Sequence, residues 1–167
     1  MTLPGVTLRR ATEGDAAAIA QAHTDSIRAL GPRFYPADVI ESWGEGLTPD
    51  LYTRAMQGGE VFFIATGTLD GQPVVLGFAT HRVDDEQDGV SVYIRGRAAR
   101  QGIGTALLRL AEEHARAHGA TSIQIQASLA GVEFYKANGF EERSPGEAVL
   151  RSGKSMSCVL MRKLLRA

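Results

Sequence analysis

Val92-Tyr93-Ile94, followed by a short polar stretch and then Arg100-Gln101-Gly102-Ile103-Gly104-Thr105, is the part of the chain whose reading decides the fold. The first three residues end an apolar strand, expected over residues 90–94. The last four open a helix expected over residues 103–118, with Ile103, Leu107, Leu108, Ala111 and Ala115 on one face. Arg109, Glu112, Glu113 and Arg116 are expected to face water. A strand, a tight loop and a helix N-terminus together make an anion site. The first helical N–H groups have no partner within the helix, and the helix dipole adds about half a positive charge. Glycines at 102 and 104 let the main chain approach phosphate oxygens closely. Alone, the loop is equally well read as a strand–helix turn whose glycines serve packing. It is not a Walker loop, because Gly104 is followed by Thr105-Ala106 and not by Lys-Ser/Thr. A Rossmann fingerprint wants a small residue where Leu107 stands, and an acidic residue after the next strand, which ends in Ala127-Ser128.

Working toward the N-terminus, residues 90–94 follow an acidic turn at 84–89. Strands are expected at residues 61–66 and 74–81, joined through the Asp70-Gly71 hairpin signal. Before them come Thr7–Arg10 as an extended start, and Thr12 with Asp15 as a capping box. An amphipathic helix carries Ala16, Ile19, Ala20, His23, Ile27 and Leu30 on its inner face. Two short helices at 36–43 and 49–56 each begin at a proline. Toward the C-terminus, residues 122–127 alternate as a strand, 131–137 form a short helix closed by Asn138-Gly139, 145–154 read as a polar loop, and Ser155–Leu164 as a last strand.

Composition bounds the function. The 167 residues suit one domain with a real core. Eighteen basic and nineteen acidic residues leave a formal net charge of −1, so there is no bulk electrostatic case for nucleic acid or a membrane surface. The single cysteine, Cys158, sits in an apolar run and reads as a buried, inert thiol. No leader pattern and no apolar stretch of about 18 residues is seen, so a cytoplasmic location is expected. No metal is expected, and a homodimer is compatible with the chain.

A second motif, Phe134-Tyr135-Lys136-Ala137-Asn138-Gly139-Phe140, lies downstream. Adjacent helical residues point about 100° apart, so Phe134 is expected to enter the core while Tyr135 faces a cleft. Taken together, Val92-Tyr93-Ile94, the Gln101–Gly102–Ile103–Gly104–Thr105 loop with Leu107-Leu108, Phe134-Tyr135 and Gly139-Phe140 resemble the GNAT N-acetyltransferases over roughly residues 61–163. The resemblance implies an α/β fold: a mixed, mostly antiparallel central sheet flanked by helices, with a splayed parallel pair of strands forming an acetyl-CoA cleft, all in one domain spanning 1–167. It implies that residues 100–105 hold the CoA pyrophosphate, and that Val92, Tyr93 and Ile94 line the pantetheine arm. It also implies that Tyr135 approaches the CoA sulfur as a general acid. Ser128 stands where the family often has Asn, Ala99 where it often has Gln or Arg, and Gly96 where it often has Pro.

Acetyl transfer needs a neutral amine, an N–H donor for the developing oxyanion, a proton for the thiolate and exclusion of water. The Ile94 N–H is the candidate oxyanion donor. For the general base the candidates are Asp88, just ahead of the strand and otherwise a turn residue, and His81, which ends the preceding strand and has the better intrinsic pKa. His23, on the inner face of the first helix, is read as a core or cleft-lining residue. The acceptor is expected to be walled by residues 27–56, with Tyr35 and Trp43 as candidate substrate contacts. The function expected is transfer of acetyl from acetyl-CoA to a primary amine of a small molecule or protein. The alternative is a catalytically weak acyl-CoA-binding regulatory module.

Overall fold

A computed structural model describes residues 3–166. Strand β1 (Thr7–Arg10) leads through the Thr12/Asp15 capping box into helix α1 (Ala16–Leu30), and α2 (Ala37–Trp43) and α3 (Pro49–Gln57) follow. Strands β2 (Val61–Leu69), β3 (Gln72–Asp84) and β4 (Gln87–Ile94) come next, then helix α4 (Ile103–Ala117). The chain ends with β5 (Ser122–Ser128), α5 (Val132–Ala137), β6 (Glu141–Val149) and β7 (Ser155–Leu164). The α/β character and the flanking helices agree with the sequence reading. The strands form two antiparallel sheets, ordered β1-β2-β3-β4 and β5-β7-β6. None of the described helices is long and apolar enough to cross a membrane.

Strand parity builds one core on each face of the first sheet. Ile64, Phe62, Val75 and Phe78 meet Ile19, Ala20 and Tyr52 of α1 and α3 on one side. Ala65, Leu76, Ala79 and Val90 meet Ile103, Leu107, Leu108 and Ala111 of α4 on the other, where Ile123, Ile125 and Ala127 of β5 join them. A register shift at Ala65/Thr66 interrupts the β2–β3 ladder beside the end of β4; such bulges recur next to functional sites. The Asp15 carboxylate accepts the Thr12 N–H at 2.8 Å and is paired with Arg9, which holds its pKa down at about 2.

Three local expectations are corrected. Residues 145–154 are not one loop: Pro145 to Val149 belong to β6, an outer strand held by its ladder to β7. Its exposed, polar sequence carries no apolar alternation, and the pairing comes from the partner strand. Leu30 is not on the inner face; at the C-terminal end of α1 it is exposed. Glu112 does not face water. It is 4 % exposed and meets Lys163 of β7, with Nζ donating to Oε1 at 3.0 Å and lying 2.7 Å from Oε2. The same ammonium donates to the carbonyl of Asn138 at 2.8 Å, so one cation joins α4, β7 and the end of α5.

A further tie closes the far side. The turn between β6 and β7 docks on α2: Lys154 Nζ donates to Asp38 Oδ2 at 2.7 Å, and the Ser42 and Ser152 hydroxyls are hydrogen-bonded.

Breaking the Glu112–Lys163 pair from one side strands a charge in the core. Lys163→Met should cost about 3 kcal/mol in urea unfolding, whereas Lys163→Met combined with Glu112→Leu should recover most of that loss. If the single and double variants are equally destabilised, the pairing does not carry the effect.

Candidate active site

The site begins with two strand edges that are left unpaired inside the protein. Arg95 N–H donates to Leu76 O at 2.8 Å. Hydrogen-bonded pairs alternate along an antiparallel ladder, so with Gly77 opposite Ile94 the N–H groups of Val92 and Ile94 point away from β3. On the other sheet, Leu165 N–H donates to Thr121 O at 2.8 Å, and Ser122 pairs with Leu164. The main-chain groups of Gln124, Gln126 and Ser128 therefore turn away from β7, toward β4. No ladder joins β4 to β5 among the described residues. The inner edges are close at one end, where Gln124 O would lie 3.5 Å from a Cβ placed on Gly89.

Tyr135 occupies this gap. Its hydroxyl accepts the Val92 N–H at 3.1 Å, so its own proton is free to be donated elsewhere. The expected division of labour on α5 is corrected here: Tyr135 is the buried member of the pair, 7 % exposed within the α4-side core, and Phe134 is only partly buried. The helix is rotated so that the tyrosine ring wedges under the strand edges while its polar tip reaches Val92. Burial raises the phenol pKa, with the neighbouring Tyr93 adding to it, so the group keeps its proton at neutral pH.

The glycine loop lies beyond Ile94. Arg100 (φ 60°) and Gly102 (φ 86°) both take left-handed conformations. Gly102 is the N-cap of α4, and no side chain caps the helix. Ala106 N–H is bonded to Gly102 O, which leaves the N–H groups of Ile103, Gly104 and Thr105 without intrahelical acceptors. A Cβ on Gly104 would come within 2.9 Å of the Phe134 ring. Phe134 thus covers the first turn of α4, and a side chain at 104 would be driven against its ring. Gln101 Nε2 donates back to Arg97 O at 3.3 Å. Ser128 ends β5 on the facing edge, opposite Cys158 of β7.

His81 and Asp88 are brought together. His81 is 3 % exposed, and its Nε2 donates to Asp88 Oδ1 at 2.6 Å. Its Nδ1 meets Nδ1 of His114, on α4, at 2.9 Å. Both ring nitrogens are committed, and Asp88 is among the residues around a cavity. Asp88 lies four residues before Val92, about 13 Å along an extended strand.

Tyr35 and Trp43 pack edge to face at 5.7 Å. Tyr35 is buried, accepts Leu129 N–H at 2.8 Å and donates to Ser157 O at 2.6 Å, so its hydroxyl ties the end of β5 to β7. Neither residue lines the cavity of about 720 Å³ that Thr24, Asp25, Arg28, Leu47, Pro49 and Arg95 enclose beside α1. His23 packs 4.0 Å from Tyr93, centroid to centroid, and its Nδ1 is hydrogen-bonded to the Tyr52 hydroxyl at 2.8 Å. Sequence reasoning did not single out Tyr52, His114 or Arg162. The one available signal was parity: Arg162 stands at the alternation of Met156, Cys158 and Leu160 in β7, where a charged side chain is out of place.

The profile of the Acetyltransferase (GNAT) family matches residues 24–140. No protein of curated function matches the chain in sequence. Among solved structures, the chain resembles a GCN5-related N-acetyltransferase of Rhodopseudomonas palustris with a TM-score of 0.82 and 25 % identity, over 99 % of both chains. PaiA N-acetyltransferase of Thermoplasma acidophilum, in complex with coenzyme A, is similar with a TM-score of 0.75 and 19 % identity, over 99 % of this chain and 100 % of that one. The yncA protein of Salmonella typhimurium, with its cofactor acetyl-CoA, is similar with a TM-score of 0.68 and 20 % identity, over 97 % and 95 %.

Burial, reinforced by Arg151, holds His23 down to a pKa of about 3. The unfolded chain therefore takes up the proton first, so the stability that a neutral His23 confers is full above about pH 6.5 and is lost as pH falls toward 3. Moving from pH 7.5 to 5 should cost about 2 kcal/mol through this group. His23→Gln should show a correspondingly smaller loss in urea midpoints at the two pH values; equal losses would remove His23 from the acid limb.

Proposed function

The chain belongs to the GNAT acetyltransferase family, and from that premise we propose that residues 1–167 form one N-acetyltransferase domain that moves the acetyl group of acetyl-CoA onto a primary amine. The observation that carries the reading is the Val92 N–H donating to the Tyr135 hydroxyl, on a strand edge whose next outward N–H is that of Ile94 and which is followed, after a short loop, by an uncapped helix N-terminus. β4 and β5 are read as the splayed parallel pair, with the pantetheine arm between their unpaired edges, along Val92, Tyr93 and Ile94 and across from Ser128. Residues 100–105 are read as the pyrophosphate cradle. The free N–H groups of Ile103, Gly104 and Thr105 fit two phosphates.

Acetyl-CoA supplies an acyl thioester. The amine nitrogen bonds to its carbonyl carbon, the C–S bond breaks, the sulfur leaves with the bonding pair and takes one proton, and the nitrogen loses one. The Ile94 N–H donates to the oxygen on which charge develops. Tyr135 donates its O–H to the departing sulfur. With reference pKa values near 10 for the phenol and 8.5 for a thiol, full transfer is uphill by about 2 kcal/mol, and burial widens the gap, so Tyr135 acts mainly as a hydrogen-bond donor. Asp88, held by His81, is read as the acceptor of the amine's proton through intervening water.

Thiol release from acetyl-CoA over a panel of amines tests the activity, and binding without turnover would favour a regulatory module. Tyr135→Phe keeps the ring and should lower kcat roughly 10- to 1000-fold with little change in acetyl-CoA KM; unchanged kcat with chemistry rate-limiting would remove the hydroxyl from the reaction. Gly104→Val should abolish stabilisation by CoA, and a normal thermal upshift in that variant would refute the cradle. Asp88→Asn should lower kcat/KM for the amine with little change in acetyl-CoA KM; undiminished kcat/KM would leave the base elsewhere.

A further inference from the structure

Upstream of Val92, where the edges of β4 and β5 come close at Gly89 and Gln124, a cavity of about 490 Å³ lies against the strands. Ile123, Ile125 and Ala127 are buried against α4, so parity turns the side chains of Gln124 and Gln126 to the opposite face. Arg162 stands opposite Gln124 in the β5–β7 register. Arg82 comes from β3, Asp88 and Gly89 from β4 and Arg143 from β6, so five strands contribute to one wall.

The charges in this wall do not cancel. Its two carboxylates are already engaged, Asp84 by Arg82 Nε at 2.9 Å and Asp88 by His81 at 2.6 Å. Arg82 also donates to the Ser91 hydroxyl at 3.0 Å. Among the described residues neither Arg143 nor Arg162 has an ion-pair partner, and the Arg162 Nε is buried with no hydrogen-bond acceptor. A buried guanidinium N–H left without an acceptor is costly, and a carboxylate is the group whose two oxygens match it best. The amide groups of Gln124 and Gln126 add neutral donors alongside.

We propose that this cavity seats the anionic end of the acceptor, so that the amine acetylated carries a carboxylate at its far end, as in an ω-amino acid. The inference rests on the acetyl-transfer reading above for what happens at the amine. Gly89, inside the cavity, lies three residues before Val92, about 10 Å along the strand. A chain of roughly five methylenes between amine and carboxylate bridges a comparable distance. The same guanidinium groups repel a second ammonium, so diamines of that length are poor acceptors.

The test uses 6-aminohexanoate against hexylamine, by calorimetry on the CoA-loaded protein and by thiol release from acetyl-CoA. The expected result is binding of 6-aminohexanoate at least tenfold tighter than hexylamine. Arg162→Gln and, independently, the exposed Arg143→Gln should each weaken 6-aminohexanoate by about tenfold without changing hexylamine. Equal affinity for the two amines overturns the proposal, as does undiminished 6-aminohexanoate binding in both variants. Thiol release with hexylamine alone also overturns it while leaving the acetyltransferase reading intact. Arginine-dependent binding of 6-aminohexanoate with no thiol release from either amine does the reverse: the pocket stands and the transfer reading falls.

Discussion

Two strand edges that face each other without pairing set the terms for everything around them. Main-chain N–H and C=O groups inside a protein need partners, and the inner edges of β4 and β5 cannot supply them to one another. The Tyr135 ring is the wedge, and its hydroxyl takes the Val92 N–H that the wedge deprives of a strand partner. That wedge stands only because α5 is fixed at its end. Phe140 N–H returns to Tyr135 O at 3.0 Å and Gly139 N–H to Lys136 O at 3.1 Å, while Lys163 holds the Asn138 carbonyl from below and Glu112 holds Lys163. A carboxylate in the middle of α4 thus reaches the gap through one ammonium and a helix end.

Elements with strong internal periodicity were legible from their residues alone. The bounds read for β7 and the start of α4 agree with the structure, because each carries its own apolar rhythm over ten residues or more. What depends on a distant partner was not legible. Glu112 looked solvated because nothing near it in sequence announces Lys163. β6 looked like a loop because its partner strand, and not its own alternation, makes it a strand. A step of about 100° between Phe134 and Tyr135 showed that they diverge, but not which one goes inward; that choice depends on where β4 ends. The site was legible to a similar depth. The glycine loop and Tyr135 stand out in the sequence, whereas the His81–Asp88–His114 contacts and the placement of Arg162 follow from strand register, which no single segment encodes.

The gap is also a place of ordered charge. At one end, main-chain N–H groups of α4 offer partial positive charge. At the other, guanidinium groups from three strands supply full charge. Between them the Tyr135 phenol stands at Val92. A formal net charge of −1 for the whole chain means that this polarity is local, so it acts on a bound molecule's orientation more than on its long-range capture.

The docking of the β6–β7 turn on α2 has a kinetic meaning. Asp38 and Lys154 are 116 residues apart, and Ser42 and Ser152 are 110 apart. Contacts that close such long loops wait until both sheets have assembled, so this latch is among the last to form on folding. Asp38 and Lys154 are both well exposed, and an exposed pair weakens as salt rises. Salt therefore loosens the Asp38–Lys154 part of this latch first, and amide exchange in residues 150–154 becomes a gauge of ionic strength.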